Sequence, residues 1–191
     1  QGGFSSPLCG TFSAVRGRME DQRSFQQSPR PLRGEYAPEI FGLPRLTIEE
    51  KEDVKKGTAC ALRAFDQAYA LESRGLPWAI ESCDLREGHP HILKLPQAIE
   101  LAEKTGAGLI RFHQCNLGAA TAKPSALLFN GMTFSDLRGL MNMCPHEPLW
   151  HVQPWGGKTY YSPHPYLQGH ALAVPYSDWD GIITFRGPSG P

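Results

Sequence analysis

The sequence predicts an α/β fold, in which a core of helices and strands lies between a long irregular N-terminal loop and a loop-rich C-terminal tail. Two observations predict the core: a helical pattern that begins at a capping box, and several short apolar runs of the length typical of buried strands. A third predicts the flanks, because 20 glycines and 17 prolines make up about a fifth of the 191 residues. Helices and strands that alternate in this way are typical of α/β proteins.

The chain divides into three predicted regions. Residues 1–46 hold a loop around Cys9 and an extended arm, since residues 14–46 mix Arg, Gln, Ser, Gly and Pro without a sustained period. Residues 47–143 form the α/β core. Residues 144–191 form a tail that is rich in aromatic residues, Pro and Gly.

The first helix of the core is predicted to begin after Thr47. The stretch Thr47-Ile48-Glu49-Glu50 is a capping box, in which the Thr47 hydroxyl accepts from the Glu50 amide and the Glu50 side chain reaches back. Gly75 and Pro77 end the helix. Between these limits apolar residues recur at helical spacing, at Val54, Ala61, Leu62, Phe65, Ala68 and Tyr69.

The remaining elements of the core follow in order. Short apolar runs predict strands at Trp78–Glu81, at Gly108–Gln114 and at Ala126–Asn130. A second helix is expected from Pro96 to Gly106, because Pro suits the first helical position and Gly the residue after the end. A third, short helix is expected from Thr133 through Met141.

Charge and cysteine usage limit the classes of function. The balance of 19 basic and 19 acidic residues argues against strong non-specific affinity for nucleic acid or acidic membranes. No apolar run approaches the ~20 residues that a membrane span needs, so no span is expected. Five scattered cysteines favour reduced thiols, and so an intracellular location, over a disulfide framework.

Three residues are candidates for a functional site. Ligand sites in α/β folds lie at the carboxyl ends of strands, and Glu81 and Gln114 stand at two such ends. Cys9 lies in a Pro- and Gly-containing loop. Each also has a plain structural interpretation: Cys9 as a small half-buried residue, Glu81 as a helix cap or the partner of an arginine, and Gln114 as an ordinary strand-end residue.

Three motifs carry a resemblance to a known family. They read "SSPLCGTFS" at Ser5–Ser13, "WAIESCD" at Trp78–Asp84 and "FHQCNLGAATAKPSALLFN" at Phe112–Asn130. The intervening "PRPLRGEYAPEIFGLPRL" adds to the pattern. In order and spacing these stretches resemble the DNA cytosine-5 methyltransferases, and more closely a methyltransferase-like family found in mobile elements. The resemblance implies a partial Rossmann-like methyltransferase core.

The match is partial within each motif. The first resembles the Pro-Pro-Cys nucleophile loop, with Leu8 in place of the second proline. The second is similar to a strand that ends in Glu-Asn-Pro, with Ser82 and Cys83 in place of the last two residues. The loss of that proline is expected to loosen the end of the strand. The third resembles Asp-Gln-Cys-x-x-Gly followed by Lys-Pro-Thr, with His113 and Ser125 as departures.

The resemblance implies catalytic roles for Cys9, Glu81 and Gln114. In the family a thiolate adds to C6 of a flipped-out cytosine, and C5 then attacks the methyl group of S-adenosylmethionine. Cys9 would supply the thiolate and Glu81 would hold or protonate ring N3. Gln114 would lie at an adjacent strand end, with Cys9 within reach of the Glu81 carboxylate.

Candidate nucleic-acid contacts come from basic residues near these motifs. The resemblance implies that Arg111 and Lys123 contact phosphate or position the nucleophile loop. Arg16 and Arg18 belong to a basic stretch that extends to Arg33. Acidic residues dilute this stretch, so a solvated loop competes with a nucleic-acid arm as its interpretation.

Cofactor expectations follow from what the motifs lack. The family's cofactor half, a strand with a Gly-rich turn and an acidic residue, comes first in the chain, and no such unit precedes Ser5. No cofactor is therefore expected in this chain, and S-adenosylmethionine is expected only if an upstream half supplies its site. Zinc is a separate candidate, because Cys144, His146 and His151, completed by Cys115 or water, have ligand types that zinc prefers.

Two functions compete at this stage. One is a non-catalytic structural or assembly subunit, a degenerate methyltransferase-like domain bound to other protein subunits. The alternative is the distal half of an active DNA cytosine methyltransferase that uses Cys9 as its nucleophile. The altered motifs and the neutral charge favour the first, whereas the retained Cys9 and Glu81 favour the second.

Overall fold

The structure, a computed structural model of the chain, describes residues 2–13, 30–114, 124–133, 135–140, 152–155, 158–161 and 174–175, the last three ranges by their backbone alone. Within these ranges two α-helices pack with a mixed sheet. The α/β class predicted from the sequence is confirmed. No helix among the described residues is long and apolar enough to cross a membrane.

The two α-helices form where the sequence predicts them. Helix α1 spans Ile48–Glu72, and the capping box at Thr47 is present in both directions. Helix α2 spans Pro96–Thr105 and ends at Gly106, which adopts the left-handed conformation (φ 65°) that glycine accepts without strain. Two short 3₁₀ helices, Glu39–Phe41 and Ile92–Lys94, were not predicted.

The main sheet has five strands in the order β1-β2-β4-β3-β7. Strand β1 pairs with β2 in parallel, and the other neighbours are antiparallel. A separate antiparallel pair, β5-β6, comes from the tail region. The strands span Gly3–Ser5 (β1), Trp78–Cys83 (β2), Gly108–His113 (β3), Pro124–Asn130 (β4), Val152–Trp155 (β5), Lys158–Tyr161 (β6) and Val174–Pro175 (β7).

The main core lies between the helices and one face of the sheet. On that face Trp78 and Ile80 are both 1% exposed, and they pack with α1 residues such as Phe65. Successive strand residues point to opposite faces, so Ala79 and Glu81 lie on the other face. A second apolar cluster, which includes Ala79, covers part of that face.

The expected third helix is wrong for the residues that the structure describes. Thr133 and Asp136 form the reciprocal hydrogen bonds of a capping box, but residues 135–140 continue as turns. A helix this short gains few backbone hydrogen bonds for the cost of nucleation, and Gly139 adds to that cost. Leu137 is instead held by burial against the second apolar cluster.

Candidate functional site

A buried carboxylate, Glu81, forms the centre of the candidate site. Strand β2 places it on the sheet face opposite the helices, where it is 7% exposed. Its Oε2 accepts from the Ser6 hydroxyl at 2.6 Å, and its Oε1 accepts from the Ser125 hydroxyl at 2.7 Å. These distances are in the range typical of hydroxyl-to-carboxylate bonds. The site therefore joins the loop after β1 to the centre of the sheet.

Gln114 completes this cluster from the end of β3. Its side-chain nitrogen donates to Glu81 Oε1 at 3.3 Å and to Ser125 Oγ at 3.1 Å. Strands β2 and β3 both pair with β4, so their carboxyl ends meet at the start of that strand. The structure thus brings together two of the three residues predicted as catalytic.

Cys9 lies in a turn that follows Ser6 in the sequence. Ser6, three residues before it, binds Glu81, and the amide of Phe12 donates to the Cys9 carbonyl at 2.9 Å. Cys9 itself is half-buried and its thiol is not in a disulfide. Gly10 is exposed, with open space where a Cβ would stand. The catalytic role of Cys9 stays a prediction.

Arg33 holds the far end of this turn. Its Nε donates to Thr11 Oγ1 at 3.0 Å, and its guanidinium carbon lies 3.7 Å from the centre of the Phe12 ring. Two further bonds run to the carbonyl oxygens of Ile40 (2.7 Å) and Val54 (2.6 Å). Burial lowers the pKa of Arg33 to about 10, so it stays charged at neutral pH. The Cys9 turn is therefore anchored on both sides, by Ser6 and by Arg33.

His91 binds the carbonyl at the end of β2, at Cys83, where the sequence predicts a loosened strand end. His91 Nε2 donates to the Cys83 carbonyl at 2.6 Å, and its Nδ1 accepts from the Leu93 amide at 3.0 Å. These two bonds define the Nε2–H tautomer. Burial lowers the pKa of His91 to about 4, so the ring is neutral. His91 therefore constrains this carbonyl by a hydrogen bond, whereas a proline would restrict the backbone torsion itself.

Arg111, predicted to contact phosphate, is engaged within the protein. Its Nε and Nη2 each donate to the Asp84 carboxylate at 2.7 Å, in a two-pronged ion pair. Arg86 adds a weaker contact to the same carboxylate at 3.4 Å. The Arg111 side chain is still 41% exposed, and its role as a nucleic-acid contact stays a prediction.

The site contains residues that sequence reasoning missed. Ser6 precedes Pro7 in the first of the three motifs, and Ser125 is one of the departures from the resemblance in the third. Arg33 ends the basic stretch for which a solvated loop and a nucleic-acid arm compete as predictions, and it is 2% exposed. The sequence offers one sign of this burial, the apolar residue Leu32 directly before Arg33. In the structure Leu32 is 1% exposed, so this part of the arm packs against the core.

Several predicted site residues lie outside the described part of the chain. They are the arm residues Arg16 and Arg18, the basic residue Lys123, and the proposed zinc ligands Cys115, Cys144, His146 and His151. Within the described ranges, no group of three or more His, Cys, Asp or Glu side chains could hold a metal ion. The zinc and nucleic-acid roles of these residues therefore remain predictions.

Comparisons of the chain with protein-family models, with curated proteins and with solved structures found no match.

Proposed function

We propose that the chain is a degenerate methyltransferase-like domain that serves as a non-catalytic structural subunit of a larger complex. One observation carries the proposal: the acceptor oxygens of Glu81 are bound by the protein's own donors, Ser6, Ser125 and Gln114. A carboxylate that binds a substrate ring by hydrogen bonds needs an oxygen that the ring can reach. In this arrangement Glu81 instead ties the loop after β1 to three strands of the sheet.

A second candidate function rests on the same contacts. The bond from Ser6 to Glu81 supports it, because it brings the loop before Cys9 to Glu81, and a cytosine-5 methyltransferase needs its nucleophile loop near that carboxylate. For that activity Ser6 would release Glu81 to ring N3, while Cys9 adds to C6 of an extruded base. The chain would then act as the distal half of an active enzyme, with S-adenosylmethionine held elsewhere.

Calorimetric titration with S-adenosylmethionine, followed by incubation with 5-fluorocytosine DNA, separates the two functions. We expect no saturable cofactor binding and no covalent adduct. A Gly-rich turn of the G-x-G-x-x-G type, which could hold a cofactor, does not occur in the given sequence. The neutral net charge also gives little drive to hold DNA during base extrusion, which costs a few kcal/mol.

The controls are two cysteine variants. Cys60, half-buried in α1, is a second free thiol outside the candidate site. An adduct that disappears in Cys9→Ser but persists in Cys60→Ser would show a working nucleophile and would overturn the structural proposal.

A further inference from the structure

An open apolar groove runs along the outer side of α1. One wall is the helix, with Ala59 and Leu62, and the other is the segment around Phe41 and Leu43. Val54 contributes to the lining and is 5% exposed. The groove has a volume of about 580 Å³, within the range of ~300–1,000 Å³ that is usual for ligand sites.

Two apolar side chains, one on the wall of the groove and one in the first turn of α1, are exposed to solvent. Phe41 is 40% exposed on the wall, and Ile48, in the first turn of α1, is 83% exposed. Ile48 stands three residues before Lys51, a lining residue, so both lie on the same side of the helix. Exposed apolar side chains beside an apolar groove are typical of interaction sites.

The charges at the groove have one sign. Lys51 and Lys55 line it, one turn apart on α1. Within the described ranges Lys51 forms no ion pair, and Lys55 has only a loose contact with Glu52 at 4.0 Å, with both side chains exposed. Two cations beside an apolar channel complement a segment that carries acidic residues next to an apolar anchor.

We infer that this groove binds a segment of a partner protein in which bulky apolar residues, one helical turn apart, are flanked by Asp or Glu. The apolar side chains fill the channel between α1 and the Phe41 wall, and the carboxylates meet Lys51 and Lys55. An open channel suits a peptide better than a small molecule, which is usually enclosed on most sides. The inference does not depend on the proposed function, because the groove shares no residue with the Glu81 cluster.

The test uses two fluorescein-labelled helical peptides and anisotropy titrations with the full chain. Both peptides carry Leu and Phe one turn apart; the remaining positions are Glu-rich in one and Lys-rich in the other. We expect saturable binding of the Glu-rich peptide, weakened by added salt, and no saturable binding of the Lys-rich one. Equal binding of both peptides, or none of either, would overturn the inference.

Charge reversal with a matched control locates the binding. The double variant Lys51→Glu/Lys55→Glu is expected to weaken the Glu-rich peptide about tenfold, as when two exposed ion pairs become repulsions. The control Lys56→Glu/Arg63→Glu makes the same change in net charge at exposed α1 positions that do not line the groove. It is expected to change affinity less than about twofold. Equal losses in the two variants would mean that net charge, not the groove, attracts the peptide.

A steric pair completes the test without changing charge. Ala59→Trp places a large side chain at the exposed wall of the groove, whereas Ala70→Trp places it at an exposed α1 position that does not line it. Only the first is expected to abolish binding, with the circular dichroism of both variants unchanged. Retained binding in Ala59→Trp would contradict the location.

Discussion

Single buried polar residues hold the candidate site together. Arg33 joins the Cys9 turn to α1 and to the short helix before it, through hydroxyl and carbonyl oxygens. His91 holds the carbonyl at the end of β2. Glu81 accepts hydrogen bonds from side chains on three other parts of the chain. Because unsatisfied polar groups are costly in the interior, each of these residues constrains several segments at once.

Replacement of Glu81 by Gln is expected to lower the free energy of unfolding by about 1–3 kcal/mol. An amide has one acceptor oxygen, whereas both carboxylate oxygens now accept hydrogen bonds. Urea denaturation measures the effect. Glu103→Gln, at an exposed position of α2, is the control and is expected to stay within about 0.5 kcal/mol. Unchanged or increased stability in Glu81→Gln would instead indicate a carboxylate kept for function at a cost in stability.

His91 is expected to make stability fall as the pH drops from about 6.5 to about 4. Burial lowers its pKa in the folded state, so in this window the unfolded chain binds a proton that the folded chain does not. The contribution of His91 to stability is fully present above about pH 6.5 and fully lost below about pH 4. The shift from 6.5 to about 4 corresponds to about 3 kcal/mol.

Urea denaturation across this pH range compares the chain with His91→Asn. The amide can still accept from the Leu93 amide but does not titrate, so its stability is expected to depend less on pH. Equal pH dependence in the two proteins would show that other groups cause the acid sensitivity.

At the scale of elements, α1 is shaped by its tertiary contacts as much as by helix propensity. It contains Gly57 in its interior, where glycine costs roughly 0.5–1 kcal/mol relative to alanine. A Cβ at this position would stand 2.6 Å from Thr11 Oγ1 and 3.2 Å from Arg33 Nη2. Glycine is therefore required where the Cys9 turn and Arg33 approach the helix.

Gly57→Ala is expected to destabilise the protein, by about 1–3 kcal/mol, although alanine is the better helix former. The added methyl group displaces Thr11 or Arg33 from a buried hydrogen bond. The matched variant Ala70→Gly, exposed in the same helix, is expected to cost only the propensity difference of about 1 kcal/mol. Urea denaturation measures the effect. A gain in stability in Gly57→Ala would show that Thr11 and Arg33 can move away from the added methyl group without loss of stability.

At the scale of the whole molecule, one sheet gathers distant parts of the chain. Strand β1 comes from the first residues and β7 from the tail, and the described core strands lie between them. β2 is buried along its full length, and β4 is buried at all but its two end residues. The parallel β1–β2 pair is the type of pairing that needs a crossover connection, which here contains α1.

Native-state hydrogen exchange is expected to be slower in the inner strands of the sheet than in the β1 edge strand. The amides of β2 and β4 should exchange slowest, through global unfolding, because these strands are paired on both sides. The β1 amides should exchange faster, through local opening, since this three-residue strand has one pairing partner among the described strands. Exchange rates as a function of denaturant measure the difference. Equal protection in β1 and β2 would show that the β1 edge is covered in solution.

The sequence by itself determined the local elements. The capping box at Thr47 and the Pro96–Gly106 pair define helix ends through bonds and torsions between near neighbours, and both are present. The apolar runs predicted β2, β3 and β4 because short apolar runs of this length favour buried strands. Gln114 was found in the same way, as a polar residue directly after β3, whereas β2 continues two residues beyond Glu81, which the sequence predicted as its end.

Only the tertiary structure decided which polar side chains meet. Ser6 and Ser125 reach Glu81 across 75 and 44 residues of chain, and no local pattern marks hydroxyls that will share a carboxylate. The same holds for Arg33, whose burial depends on a gap that Gly57 leaves on a helix 24 positions away. Strand β1 forms for the same reason: three residues that contain a glycine have little strand propensity, and pairing with β2 stabilises them. Short-range torsions and apolar patterns are encoded locally, whereas hydrogen bonds between distant residues exist only once the chain has folded.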